Sequence, residues 1–385
     1  MIAVGLMSGT SLDGIDAALV RLEPRVAGYE LELVRAHTTP FPRRLAALLR
    51  AALPPGEPSP RTVALLDSLL GRALGRAASN VAAGEPIDFV ASHGLTLYHD
   101  GASHRTMQIG DPYAIRARAG ATVVFDFRRA DCAAGGQGAP LVPFADALLF
   151  GGSERTIVAL NLGGIANVTI VPARDSREAL RAWDTGPGMM LIDAFVRGRN
   201  AGRWDEGGAL AARGRVSESV LRDLLANEYF ELAPPKSTGR ERFGDAFLAR
   251  HADALAPLDA PDGCATLCAL TAESIARDLK RNGPARGRVV ASGGGAHNAT
   301  LLRMLAQRLG GDFEVIGSAD LGVDPDAKEA VAFAVLGYET LRGRAAGLPS
   351  VTGAREAAVL GAIVPYALAE LTAKLQREVA AKPAG

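Results

Sequence analysis

Apolar and polar residues alternate along the N-terminal stretch, broken by turn residues. This predicts three antiparallel strands at Ile2–Met7, Ile15–Leu22 and Tyr29–His37. The spacing then turns helical over Arg43–Leu53 and again over Arg61–Ala83, with the proline-rich loop Pro54–Pro60 between them. Ile87–Ala91 reads as a short buried strand ending at Ser92-His-Gly94, and a helix over Pro112–Gly120 leads into a strand at Thr122–Phe125. The pattern restarts at Thr156–Leu160 and Val168–Val171, strands that flank Asn161-Leu-Gly-Gly-Ile-Ala-Asn167. Val289–Ala291 later runs into Ser292-Gly-Gly-Gly-Ala-His-Asn298 and a helix at Ala299–Leu309. A last helical run is predicted over Glu356–Lys374, followed by a frayed tail at Ala381–Gly385.

Each half therefore opens on a hairpin about a glycine-rich polar turn and continues with strand–helix alternation, a duplicated α/β architecture. The expected fold is two α/β domains on mixed sheets facing an interdomain cleft, a natural place for a ligand. Domain I is expected to hold residues 1–140 plus about 364–385, and domain II residues 141–363.

Composition narrows the class. The 42 basic and 42 acidic residues cancel, so charge gives no case for nucleic acid or an anionic membrane as partner. No run approaches the ~20 apolar residues of a membrane span. Cys132, Cys264 and Cys268 are too few for a disulfide framework, and Cys264 with Cys268 lacks the second pair of a metal site. Reduced, buried thiols point to the cytoplasm.

Three glycine-rich turns stand out: residues 7–16, 161–167 and 292–298. Each follows an apolar strand, and the third opens a helix. Glycine lets backbone N–H groups close on a phosphate chain, and helix N-termini favour anions. A polar β-turn uses the same residues. Three such turns over both halves favour a nucleotide gripped from two sides. Neither a P-loop nor a dinucleotide-binding glycine fingerprint is present.

These residues carry a family resemblance. The hairpin–hairpin–glycine arrangement resembles the actin/sugar-kinase/Hsp70 superfamily, and within it the chain resembles the anhydro-N-acetylmuramic acid kinases. The matching stretches are Gly5–Asp16, Ser92-His-Gly94 with Thr96 and His99, Gln108–Pro112, Phe125–Asp131 and Gly135–Leu141. They continue through Asn161–Asn167, Asp184-Thr-Gly-Pro-Gly188, Lys236-Ser-Thr-Gly-Arg-Glu241, Leu270–Ala272 and Gly293–Gly295 with Asn298, in family order. Two positions depart: Met189 stands where the family commonly has Asn, and Leu95 where it commonly has Gln. Both exchange an amide for an apolar group and bear on the sugar rather than on ATP.

The resemblance implies two actin-like, ribonuclease H-like domains, a homodimer, and a kinase that opens the 1,6-anhydro sugar with water while phosphorylating O6 from ATP with Mg²⁺. Gly9, Thr10, Ser11, Leu12, Asp13, Gly14, Ile15 and Asp16 are expected at ATP, with Asn161, Gly163, Gly164, Gly293, Gly294, Gly295 and Asn298. Asp13 and Asp16 are the expected metal carboxylates. Asp184 is the candidate general base, the alternative being an Asx-turn or N-cap aspartate before a helix over Met189–Arg197. Glu329 resembles a second catalytic carboxylate of the family, near the attacked water, its alternative a solvated helix face. Ser92, Thr96, His99, Arg128, Arg129, Asp131 and Gln137 are expected at the sugar. A guanidinium at Arg128 or Arg129 suits a carboxylate, or forms a structural bridge to Asp126 or Asp131. A kinase of another acceptor, or a non-enzymatic ATP-driven clamp, would share the fold.

Overall fold

Period-2 alternation is what builds the first sheet. The strands are β1 (Ile2–Met7), β2 (Ile15–Pro24), β3 (Tyr29–Thr39), β4 (Phe89–Ser92), a separate hairpin β5 (Leu95–Asp100) with β6 (Arg105–Ile109), and β7 (Thr122–Phe125). Val4 and Leu6 of β1 face one core with Ile15, Ala17 and Leu19 of β2; Ala3 faces the other with Ala18, Val20 and Leu22. The helix Pro60–Ala82 covers the first face and the helix Lys328–Leu341 the second. The computed structural model describes residues 1–9, 12–25 and 29–380. Thr10, Ser11 and the expected C-terminal tail lie outside the described residues.

The sheet order is Ala362–Val364, β7, β4, β1, β2, β3. β1 pairs antiparallel with β2, β2 with β3, and β1 parallel with β4, which is parallel to β7. The second sheet is formed by β8 (Ile157–Leu162), β9 (Ile165–Val171), β10 (Arg181–Pro187), β11 (Gly287–Ser292) and β12 (Phe313–Gly317), in the order β10-β9-β8-β11-β12. Its first three strands are antiparallel and its last two run parallel to β8. Strand for strand, that repeats β3-β2-β1-β4-β7. The doubled mixed-sheet α/β fold is therefore present, in the ribonuclease H-like order that the resemblance implies.

The chain divides into Met1–Ala145 with Ala327 onward, and Asp146–Asp326. The expected return near residue 364 comes earlier, and residues 327–363 group with the first unit rather than the second. The cause is the helix Lys328–Leu341, which packs on β1 at Gly5. A Cβ there would stand 1.8 Å from the Ala330 carbonyl oxygen, so only glycine permits the approach. The helix predicted over Glu356–Lys374 is also corrected. Ala362–Val364 is an edge strand on β7, and helix begins only at Leu368. Gly361 at φ +87° and Pro365, which has no N–H to donate, bracket a β-branched pair that suits a strand.

Candidate active site

Asp184 lies in β10, so the N-cap alternative fails: the helix Met190–Gly198 is preceded by Met189 instead. Opposite Asn167 of β9, the ladder slips one residue between Asp184 and Gly186, a β-bulge that re-aims the strand. Gly186 takes φ +143°, and a Cβ there would meet the Phe230 ring at 2.8 Å. Three groups from later in the chain hold the aspartate. Its N–H donates to the Lys236 carbonyl at 3.1 Å, the Tyr229 hydroxyl donates to its carbonyl at 2.8 Å, and the Thr238 N–H donates to its carboxylate at 2.8 Å. Burial pushes the carboxyl up to about 7; the Thr238 N–H opposes this, Glu241 adds to it, and the Lys236 ammonium also opposes it. A carboxyl so poised accepts a proton near neutral pH.

The turn after Asp184 is tied into the β8–β9 hairpin. Gly188 N–H donates to the Gly164 carbonyl at 2.9 Å, and Met189 N–H to the Gly163 carbonyl at 2.8 Å. The third glycine turn closes on the same hairpin, since Ser292 of β11 pairs with Asn161 of β8. A Cβ on Gly295 would meet Leu162 at 2.6 Å. Within the second unit, the Gly163–Gly164 hairpin thus carries the turn that follows Asp184, and Gly293 and Gly295 lie against Asn161 and Leu162 of the same hairpin. Asn298 serves differently. It is 2% exposed, and its side-chain oxygen accepts from Leu301 N–H, capping the helix Ala299–Leu309.

In the first unit, Leu12 closes the β1–β2 turn by donating to the Gly9 carbonyl at 3.1 Å. Asp13 is exposed, and Asp16 accepts from the Thr38 hydroxyl at 2.6 Å. Ser8 donates to the Gly94 carbonyl at 2.9 Å. His93, buried, places Nδ1 3.0 Å from that same carbonyl, while Arg128 donates through Nε to His93 Nε2 at 3.0 Å. Accepting from a guanidinium requires a neutral ring protonated at Nδ1. Burial and the Arg128 charge hold the imidazole pKa well below its usual value, consistent with that tautomer. Arg128 also donates to the Gly138 carbonyl at 2.8 Å and feels the Glu329 carboxylate. Glu329 sits in the first turn of the helix that packs on Gly5.

The remaining sugar candidates separate. Thr96 accepts from Gln108 at 3.2 Å, His99 pairs with Thr106 at 3.1 Å, and the Ser92 hydroxyl is buried with no partner among the described residues. Arg129, mostly exposed, pairs with Asp126 at 3.2 Å, the structural bridge weighed above. Gln137 N–H donates to the Thr352 carbonyl at 2.9 Å. Asp131 is 0% exposed and holds Gly138 N–H at 2.8 Å and the Thr352 hydroxyl at 2.7 Å. Of the two departures from the family pattern, Leu95 is fully buried in the first core, and Met189 engages the glycine hairpin through its backbone. Sequence reasoning left Tyr229 unnamed and gave Lys236 and Thr238 no role. The signal was the Lys236–Glu241 stretch, whose polar density has no local use.

Comparison with known proteins shows the family of the chain. A family model described as anhydro-N-acetylmuramic acid kinase matches residues 1–366. An anhydro-N-acetylmuramic acid kinase of Caldanaerobacter subterraneus subsp. tengcongensis is 40% identical over 383 residues, covering 94% of this chain and 96% of the relative. That of Streptomyces coelicolor is 44% identical over 375 residues, covering 95% and 94%. That of Xanthomonas axonopodis pv. citri is 45% identical over 371 residues, covering 94% and 97%.

Proposed function

Because the chain belongs to the anhydro-N-acetylmuramic acid kinase family, we propose that it spends ATP to open 1,6-anhydro-N-acetylmuramic acid with water, giving N-acetylmuramic acid 6-phosphate and ADP in cell-wall recycling. The observation that carries the chemistry is Asp184. Its carboxyl titrates near neutrality, and its turn hydrogen-bonds to the Gly163–Gly164 hairpin, so base and phosphate donors share one rigid frame.

Asp184 takes a proton from water, and the water oxygen bonds to the anomeric carbon C1. The C1–O6 bond breaks, and O6 attacks the γ-phosphorus as the bond to the ADP oxygen breaks. The proton stays on Asp184 until solvent removes it. Backbone N–H groups of the glycine turns meet phosphate oxygens, as transfer of a phosphoryl group demands. Mg²⁺ carried on nucleotide phosphates asks for only one or two protein carboxylates. Asp13, exposed on its turn, and Asp16 meet that number, and the bound ion would neutralise phosphoryl charge. Glu329 is assigned beside Asp184 to the catalytic machinery, as the second carboxylate near the attacked water. Arg128, Ser92, Thr96, His99, Arg129 and Gln137 are assigned to the sugar, and Asp131 to shaping the loop that holds Arg128. Among the described residues no helix is long and apolar enough to cross a membrane. A cytoplasmic homodimer is part of the same reading, and sedimentation at micromolar concentration tests the dimer.

The decisive assay compares ATP-dependent phosphorylation of the anhydro sugar with that of ordinary N-acetylated hexosamines. Turnover restricted to the anhydro sugar supports the reading; equal turnover on both makes the chain a kinase of a different acceptor. Asp184→Asn given pre-opened N-acetylmuramic acid separates hydrolysis from transfer. Normal phosphorylation there would break their coupling.

A further inference from the structure

Lys236 and Asp278 form an ion pair at 2.6 Å with side chains 4% and 3% exposed. A pair so buried is costly to assemble and weak as a stability device, so its placement calls for a reason. Lys236 is joined to Asp184 once directly and twice through neighbours. Its carbonyl accepts the Asp184 N–H, and two residues on, the Thr238 N–H holds the Asp184 carboxylate. Its ammonium lies 4.8 Å from the centre of the Tyr229 ring, whose hydroxyl holds the Asp184 carbonyl. Asp278 arrives on the long helix Ala260–Asn282 and is itself held by Asn282 at 2.7 Å. The helix thereby pins the ammonium, and the ammonium pins the segment that grips the base.

Resting on the reading of Asp184 as base, we propose that the Lys236–Asp278 pair is a positioning element that sets the pH at which Asp184 becomes competent. The other charged groups near the aspartate are Glu241, which favours its protonated form, and Arg242, which lies over the opposite neighbour Tyr229 at 5.5 Å. Lys236 is the cation acting directly on Asp184, and Asp278 is the anion that tempers it.

The two members of the pair therefore have opposite signatures. In Lys236→Met the cation is gone, and the acid limb of kcat/KM moves to higher pH by about one unit, a loss of roughly fivefold at pH 7. In Asp278→Asn the cation is untempered, and the limb moves to lower pH. A purely structural role would lower the plateau in both and move neither limb. Lys236→Met leaves Asp278 buried alone and is liable to unfold; the double variant Lys236→Met/Asp278→Leu removes both charges and still moves the limb upward. Folding is checked by near-UV circular dichroism before each profile. Limbs that stay in place in folded variants overturn the proposal while Asp184→Asn remains inactive. If Asp184→Asn itself turns over normally, the reading beneath it fails as well.

Discussion

Two aspartates in matched stretches of the chain, Asp184 and Asp131, are treated in opposite ways by the fold. Asp131 is 0% exposed, and each of its oxygens accepts from within the first unit, one from Gly138 N–H and one from the Thr352 hydroxyl. Asp184 is largely covered, and the Thr238 N–H holds its carboxylate while burial raises its pKa. With both oxygens engaged, Asp131 ties the Gly138 loop to Thr352 as a fixed brace. At Asp184 burial disfavours the charged form, and the Thr238 N–H and the Lys236 ammonium only partly offset it, so the carboxyl is left able to take a proton. Each carboxylate accepts one backbone N–H; the difference is the Thr352 hydroxyl at Asp131 and the burial that raises the Asp184 pKa.

The largest effect that would sharpen this contrast is on turnover. Asp184→Asn keeps the shape but cannot accept a proton, so kcat should fall by roughly 10²–10⁴ while calorimetry shows ATP-analogue and sugar binding retained. Retention of more than about a tenth of the rate would make Asp184 a second brace. The next effect is on pH. With a carboxyl at about 7, log kcat/KM should fall by about one per unit below that pH, and the residual activity of Asp184→Asn should lack this limb.

Stability reverses the ranking. Asp131→Ala strands the donors of Gly138 and Thr352 and should cost roughly 2–4 kcal/mol in urea unfolding. Its folded fraction should stay well more active than Asp184→Asn. For Asp184 the folded-state pKa is raised, so between the unfolded value near 4 and about 7 the native state binds more protons. Stability therefore declines as pH rises through that window. Asp184→Asn should melt above wild type at pH 8 and level with it near pH 3.5. The smallest effect is Thr352→Val, which removes one donor to Asp131 and should cost about 1 kcal/mol.

How much of this was legible depends on how far each feature reaches along the chain. Alternation and glycine punctuation are local, and they revealed β1, β2, β8, β9 and the duplication. Asp184 was legible because Thr-Gly-Pro-Gly follows it directly. What was missed depends on distant partners. Ala362–Val364 becomes a strand only because β7 offers an edge, and β5–β6 is a hairpin of short, mixed residues without a strong period. Tyr229 and Thr238 reach Asp184 from 45 and 54 residues away. Asn298 follows three glycines, as a ligand contact would, yet its side chain serves the helix beginning at the next residue.

The close seat of Ala330 on Gly5 also governs the order in which the chain can fold during synthesis. The strand β1 needs a helix made only after all of residues 146–326, and the edge of its sheet closes with Val364 later still. The second unit is continuous in sequence, whereas the first is interrupted. On the ribosome the inserted unit can complete itself while residues 1–145 wait with one face of their sheet uncovered. That interval, rather than the finished protein, is where a holdase chaperone would find a binding surface.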